Sequence, residues 1–405
     1  MNDIDINEKN GIGSLIQLSA KSEFEKNWNF NPQFSVFQTD YKRHTVFDKE
    51  SIEMPLREHN FQELIVFEIS CKEYDFLSDL ILKIEIPLIE PAYKWTNNIA
   101  SSLIDHITVN VGDQEYATYT GQLLFTQLLL TSRKSNYNGL CEMIGRKHTL
   151  HSLNGRKGCL YLTLPFFKSA LDRQMFPLMW MKESKLSVCV KYKSLKDCVY
   201  IPSNTPLKLK LNVVDPHDQI QLNLSLKNEV NMDVKMKTTL LFDAYCLTKE
   251  EKMLFNHSKS TILYQTYQYR ETIFRQNAKN MKIDLNFMGY VSELIVCVVP
   301  TYNQETNQYN SYEPLKTITV GLQGKTGQAI DAHIYRQNKQ YDTIPSTWVY
   351  TIPFCLSSLQ TQPSGYKRFN GKNGKEMLSL ERGDHKSESV VYIFAKTYRF
   401  IEMNH

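Results

Sequence analysis

The sequence predicts an all-β protein built as two sandwich or jelly-roll domains, and three observations carry that prediction. At 405 residues the chain is too long for one ordinary core and comfortable as two domains of about 200 residues each. Period-two alternation of apolar and polar residues recurs from residue 60 to the end, while helical periodicity is rare. The aromatic share is 12%, with 23 Tyr and 20 Phe, residue types that fit a pleated, half-buried surface. Short strands separated by long polar loops are the profile of sandwiches and jelly rolls.

In LILKIEI (80–86) the side chains of Leu80, Leu82, Ile84 and Ile86 share one face, with Lys83 and Glu85 on the other. HITVNV (106–111) is followed by Gly112-Asp113 and then QEYATYT, the signal of a two-residue hairpin turn. TGQLLFTQLLLTSRK (120–134) carries apolar residues on a broad face and predicts a helix. LSVCVKY (186–192) and LKLKLNVV (207–214) return to strand alternation. A polar, turn-rich stretch at 212–236 marks the domain boundary. Beyond it, Thr248 and Glu251 fit a capping box that opens a short helix. MKIDLNF (281–287), LKTITVGL (315–322) and VVYIFAKTYRF (390–400) complete the strands, and a further helical turn is expected near 168–174. The organisation expected is an arm at 1–25, a first domain at 26–212, a linker at 213–236 and a second domain at 237–405. Two halves of similar length and pattern suggest two copies of one architecture, although no sequence repeat joins them.

Composition narrows the function. Lys+Arg is 47 against Asp+Glu 43, a net charge of +4 spread along the chain with no basic patch or tail, so no specific nucleic-acid partner is expected. The eight cysteines form no C-x-x-C pair and no zinc spacing, and several sit in apolar strands, which points to folding in a reducing compartment. The N-terminus is polar and acidic where a signal peptide needs a basic start and an apolar stretch. The longest apolar runs fall far below the ~20 residues that span a bilayer.

The candidate chemistry dissolves on inspection. GLQGKTG (321–327) contains Gly-Lys-Thr, but a phosphate-binding loop needs Gly where Thr319 stands, and strands flank it on both sides; a hairpin turn is expected. His148 and His151 lie in a loop without a third ligand, and Asp215, His217 and Asp218 fit a solvated turn. No catalytic, cofactor-binding or metal site is predicted, and the chain is read as a non-enzyme.

One segment is far more specific. NPQFSVFQTDYKRHTVFDKESIE (31–53) resembles the N-terminal signature of the major capsid proteins of nucleocytoplasmic large DNA viruses. The matching residues are Asn31, Pro32, Gln33, Phe37, Tyr41, Arg43, His44, Thr45, Phe47, Glu50, Ser51 and Ile52. Three further stretches resemble the family in the same order. Pro165, Phe166, Phe167, Pro177 and Leu178 carry the first, within 160–190. Residues 240–268 look like the opening of a second jelly roll. Pro363, Ser364 and Gly365 match a Pro-Ser-Gly motif. The chain departs from the family at Tyr366–Asn370 and is short for it.

The resemblance implies two consecutive eight-stranded jelly rolls with short helical inserts. It also implies a homotrimer of pseudo-hexagonal outline whose copies tile an icosahedral virion shell assembled in the host cytoplasm. Partners implied are the chain itself, minor capsid and penton proteins, and the inner viral membrane, with no cofactor. Other roles open to the fold are a scaffold shaping an immature virion membrane and a minor capsid component. A lectin-like sandwich would need paired carboxylates or an aromatic platform, which the sequence does not single out. Tyr41, Arg43, His44 and Phe47 are expected to serve as core and strand-edge residues of the first sheet, the alternative being a direct trimer or minor-protein contact.

Overall fold

The computed structural model describes residue 37 and residues 43–89, 93–132, 137–146, 158–167, 174–181, 185–200, 234–257, 261–301, 303, 307–337, 341, 347–360, 362–371, 376–383 and 387–402. The chain divides into a unit at Met1–Val46 and a unit at Phe47–His405. Both jelly rolls belong to the second unit.

In the first roll, one sheet runs in the order β1 (Phe47–Glu53), β12 (Met236–Leu247), β4 (Phe76–Ile86) and β8 (Gly158–Thr163). Short strands β2 (Arg57–His59) and β9 (Phe176–Pro177) extend it on β12 and β4. The facing sheet runs β3 (Leu64–Ile69), β10 (Leu186–Tyr192), β6 (Ile104–Val111) and β7 (Gln114–Thr120). A two-stranded ribbon pairs β5 (Lys94–Trp95) with β11 (Val199–Tyr200). The second roll repeats the plan. Its first sheet runs β13 (Thr261–Phe274), β21 (Ser389–Glu402), β15 (Met288–Pro300) and β18 (Val349–Pro353), with β19 (Lys367–Asn370) beside β15. Its second runs β14 (Asn280–Asp284), β20 (Met377–Arg382), β16 (Leu315–Gly321) and β17 (Ala329–Asp331).

Ranked along the chain, the eight main strands of each roll are ordered 1-8-3-6 in one sheet and 2-7-4-5 in the other. The duplication extends to local devices. The pairing of the third and eighth strands breaks register in both rolls, at Leu241/Asp243 and at Val291/Glu293. The fifth strand ends in both rolls on the N-cap of a helix. Thr120 accepts from the Leu123 N–H to open α2 (Gly121–Thr131), and Asp331 accepts from the His333 N–H to open α6 (Ala332–Arg336). The remaining helices are short: α1 (Ile99–Ser102), α3 (Tyr137–Ile144), α4 (Leu195–Cys198) and α5 (Lys249–His257).

Most expected elements stand where the pattern placed them, the hairpin at Gly112-Asp113 and both capped helices included. The domain boundary does not. Met236–Leu247 was expected to open the second domain, but it is the eighth strand of the first roll, hydrogen-bonded between β1 and β4. The second roll begins with β13, after α5. A strand's own sequence records that it will pair, not that its partner lies over 150 residues upstream. The arm at 1–25, the strand at 207–214, residues 213–233 of the linker and the turn near 168–173 lie outside the described residues.

Packing explains which strands alternate and which do not. β10 alternates strictly, turning Leu186, Val188, Val190 and Tyr192 into the first core. β15 instead reads LIVCVVP and is buried from Val291 to Pro300. Its Leu294, Val296 and Val298 fill the second roll, while Ile295, Cys297 and Val299 join the core cluster of the first. A sheet covered on both faces needs apolar residues at every position.

A buried polar chain fixes the first core. Tyr192 OH lies 2.8 Å from Thr238 Oγ1, which lies 2.9 Å from His59 Nε2, while His59 Nδ1 meets the Asn60 carbonyl at 3.0 Å. A neutral imidazole, protonated on Nδ1, satisfies every member: Tyr192 donates to Thr238, Thr238 to Nε2, and Nδ1–H to Asn60. Burial holds the His59 pKa below its ordinary 6.5. Between that lowered value and 6.5 the unfolded chain binds more protons than the folded one. Stability therefore falls as pH drops through this window. The thermal midpoint is expected to fall more steeply from pH 7.5 to 5.5 in the wild type than in a His59→Phe variant.

Candidate functional site

The structure concentrates its specific chemistry at the seam where the first roll meets the outer face of β13-β21-β15-β18. Helix α2 supplies most of it. Gln122 donates through Nε2 to the Tyr309 carbonyl at 2.7 Å and accepts from Tyr312 OH at 3.0 Å. Thr126 Oγ1 lies 3.5 Å from the same hydroxyl, and the rings of Phe125 and Tyr312 are 6.3 Å apart. Burial pushes the Cys297 thiol beneath them up to about 12 and the Tyr312 hydroxyl well above its usual range, so both stay neutral. α2 reaches this position because its first residue is glycine. A Cβ at Gly121 would stand 2.2 Å from the Ser101 carbonyl oxygen.

Two other contacts close the seam. Asn307 donates through Nδ2 to the carbonyls of Lys196 (2.7 Å) and Val199 (2.6 Å), and its own carbonyl accepts from Thr96. Phe167 stacks on Tyr264 of β13 with centroids 5.3 Å apart and planes within 6°. A row of polar groups crosses the second roll on the same face. Tyr267 of β13 is paired with Lys396 of β21, which is paired with Glu293 of β15. Glu293 accepts from Tyr341 OH, and Lys396 donates to the Ser358 carbonyl. Burial lowers the Lys396 pKa, opposed by the charge of Glu293. A groove of about 960 Å³ runs along the seam between β7 and β13, with Tyr116, Tyr269, Asp105, Glu271 and Arg399 among its walls.

The described signature residues do not form one cluster. Asn31, Pro32, Gln33 and Tyr41 lie outside the described residues. Arg43 and His44 are exposed in the N-terminal unit, with His44 Nδ1 2.9 Å from the Thr45 carbonyl. Phe47 and Ser51 stand on edge strand β1, where Phe47 is 48% exposed and meets Tyr245 edge-on at 5.6 Å. Ser51 donates to Asp243 at 2.6 Å. Of the core and strand-edge places expected, Phe47 takes a strand-edge one, whereas Arg43 and His44 are exposed and lie in no strand. β1 is exposed at every position but the half-buried Ile52, because it borders a sheet whose core strands are β12, β4 and β8.

The other signature segments are packed. Phe166, Phe167 and Phe176 form a ring cluster with centroids 4.9–5.3 Å apart, bracketed by Pro165 and Pro177. The Pro165 carbonyl lies 3.4 Å from Tyr119 OH, and Pro177 pairs with Phe76. In the Pro363-Ser364-Gly365 segment, Ser364 Oγ accepts from the Ser357 N–H at 2.8 Å and donates to its carbonyl at 2.9 Å. Gly365 adopts φ +148°, and a Cβ there would stand 2.9 Å from Cys355 Cα and the Phe354 oxygen. GLQGKTG forms a two-residue turn: Leu322 and Lys325 exchange backbone hydrogen bonds, with Gln323 and Gly324 at positive φ. No group of three metal-ligating side chains occurs among the described residues.

Comparison with known proteins points to capsid proteins. A model described as the major capsid protein N-terminus matches residues 35–225. The chain is 25% identical to "Probable capsid protein 4" of Acanthamoeba polyphaga mimivirus over 221 residues, 50% of this chain and 42% of that protein. It is 22% identical to "Capsid protein 1" of the same virus over 326 residues, 75% of this chain and 51% of that one. Among solved structures, PBCV-1 VP54 superposes with a TM-score of 0.70 at 14% identity, covering 91% of this chain and 98% of that chain. The chain is similar to the major capsid proteins of large DNA viruses, through residues 35–225 and through its double jelly-roll fold. The Faustovirus major capsid protein has the same fold, with a TM-score of 0.62 at 11% identity over 98% of this chain and 97% of that one. The chain spans about half the length of the curated relatives it matches.

The seam and the Ser364 clamp each yield a test. Tyr312→Phe removes the hydroxyl that serves Gln122 and is expected to cost about 1–3 kcal/mol, read as a lowered thermal midpoint. Gly365→Ala places a Cβ against backbone at a conformation side chains rarely adopt. It is expected to cost about 1–3 kcal/mol by the same measurement, whereas Gly383→Ala, with open space at its Cβ, should be nearly silent.

Proposed function

We propose that this protein is a shell-building subunit. Three copies join into a pseudo-hexagonal capsomer of six jelly rolls, and capsomers tile an icosahedral virion assembled in the host cytoplasm. The observation that carries this reading is the internal duplication. Two rolls of identical strand order, locked by a buried seam, present a ring of three copies with six equivalent walls. The sandwich, two sheets packed about 10 Å apart, is stiff in the way a tile must be. A net charge of +4 over 405 residues lets tiles approach without strong repulsion. Many weak lateral contacts then hold the shell by multivalency. Minor capsid proteins, a penton protein at the five-fold vertices and the inner viral membrane are the partners that follow. The chain's chemistry in this role is structural, not catalytic.

Light scattering after gel filtration tests the reading. A trimer of three 47.3 kDa chains, about 142 kDa, is expected. A monomer at every concentration and salt tried would count against it. Presence of the chain in purified mature virions then separates a shell protein from a scaffold that is discarded on maturation.

A further inference from the structure

The seam opens to solvent along one side, and its mouth is built differently from its interior. On the outer face of β13, Tyr267 is half-buried, Tyr269 is 52% exposed and Glu271 is exposed. The facing wall is the outer face of β6 and β7. Ile107, Val109, Ala117 and Tyr119 turn into the first core. Thr108 and Thr118, paired across the two strands, therefore turn the other way and line the groove. The space between these walls, about 960 Å³ and open along its length, suits an elongated ligand better than a compact one.

Three properties define what this groove can hold. Its charge is balanced: Asp105, Glu115 and Glu271 share the walls with His106, Lys193 and Arg399. A polyanion such as a nucleic acid meets no net positive field there. The phenyl rings of the lining all belong to tyrosines, Tyr116, Tyr267, Tyr269, Tyr309 and Tyr392, and each offers an apolar face and a hydroxyl. A wholly apolar ligand would cover the carboxylates and hydroxyls without giving them partners. Several polar groups are also held in place. Lys193 Nζ stands 3.9 Å from the centroid of the Tyr309 ring, His106 Nδ1 lies 3.0 Å from the Asp105 carboxylate, and Thr118 donates to Glu115. Walls fixed in advance lose little freedom when a ligand arrives.

A sugar ring has the matching surfaces. Its C–H face packs on an aromatic ring, and its rim of hydroxyls donates to carboxylates and accepts from cationic side chains. We infer that the groove between β7 and β13 binds a neutral oligosaccharide, with Tyr269 as a stacking platform and Glu271 as an acceptor of sugar hydroxyls. The two rolls build together the aromatic platform that neither half of the sequence singles out. The site lies within one chain, so the inference goes beyond the capsomer reading and does not depend on it. The same chemistry is offered by sugars carried on the shell itself and by sugars of a cell surface.

The test is titration calorimetry on the full chain, made in bacteria, with neutral hexasaccharides of glucose, mannose, galactose and N-acetylglucosamine. At least one is expected to bind with a dissociation constant between about 10 µM and about 1 mM, as suits an open groove. Tyr269→Ala and Glu271→Gln are each expected to weaken that binding roughly tenfold with an unchanged thermal midpoint. Tyr366→Ala, which removes an exposed tyrosine outside the groove, should leave it intact. Glycans released from purified virions and polysaccharide from the host cell surface are titrated in parallel, and the one that binds names the source. Absence of binding by all four hexasaccharides at about 10 mM overturns the inference. So does binding that survives both groove variants, or tighter binding of polyuridylate than of any sugar.

Discussion

A sheet with two apolar faces must be covered twice, and that constraint organises this molecule. The inner face of β13-β21-β15-β18 is covered by its own roll, as in any sandwich. The outer face, with Ile295, Cys297, Val299 and Phe394, can be covered only by the other roll. The two rolls therefore share a core cluster and do not behave as beads on a linker. The seam is not wholly apolar. Gln122, Tyr312 and Asn307 form defined hydrogen bonds there, and the Tyr267–Lys396–Glu293 row sets polar groups among apolar ones. Polar groups buried with partners do little for net stability, but they penalise every misaligned docking. An apolar seam alone would tolerate sliding.

The two outer sheet faces show how one architecture serves two purposes. A surface that is buried from the moment of folding can be apolar, because it is never exposed to other chains. A surface that must remain soluble until assembly cannot. The face behind β1 keeps Lys49, Glu53, Lys83 and Asp243 paired with one another, so their charges are neutralised locally while water still reaches them. Breaking or rearranging such exposed pairs costs little. Among the described residues, strand β1, FDKESIE, borders its sheet, and its charged residues discourage other strands from adding to it indiscriminately. Contact through side chains remains available where strand addition is blocked.

Much of this was legible in the sequence, and the failures have physical causes. Period-two alternation places β10 and β16 almost to the residue, because half-buried strands must alternate. The hairpin at Gly112-Asp113 and the cap at Thr248 are local devices and were equally readable. Long-range pairing was not, which is why Met236–Leu247 was assigned to the wrong roll. The signature around Phe47 was read as packing because aromatic residues usually pack, yet the strand that carries it lies at a border that only the topology reveals. The seam residues Gln122, Asn307 and Tyr312 were missed altogether. Two signals could have found the seam. LIVCVVP lacks the alternation of a strand with one wet face, and GQLLFTQLLLT is too apolar all round for a helix lying on a surface.

The rolls share no visible sequence repeat, yet each repeats the same strand order, the same register break between third and eighth strands and the same helix capped by the last residue of the fifth strand. The shared features are geometric, and chemically different residues supply them. Thr120 and Asp331 both cap, and positive-φ Asp79 in β4 sits at the break that Ser292 occupies in β15. A cap or a bulge fixes where the backbone goes and can be met by several side chains. Core and seam residues fix what the wall touches, and there the rolls diverge, because one wall meets its own chain and the other faces solvent. Geometry is held in common because both rolls build the same sandwich, and wall chemistry differs because one wall is buried within the chain and the other faces solvent.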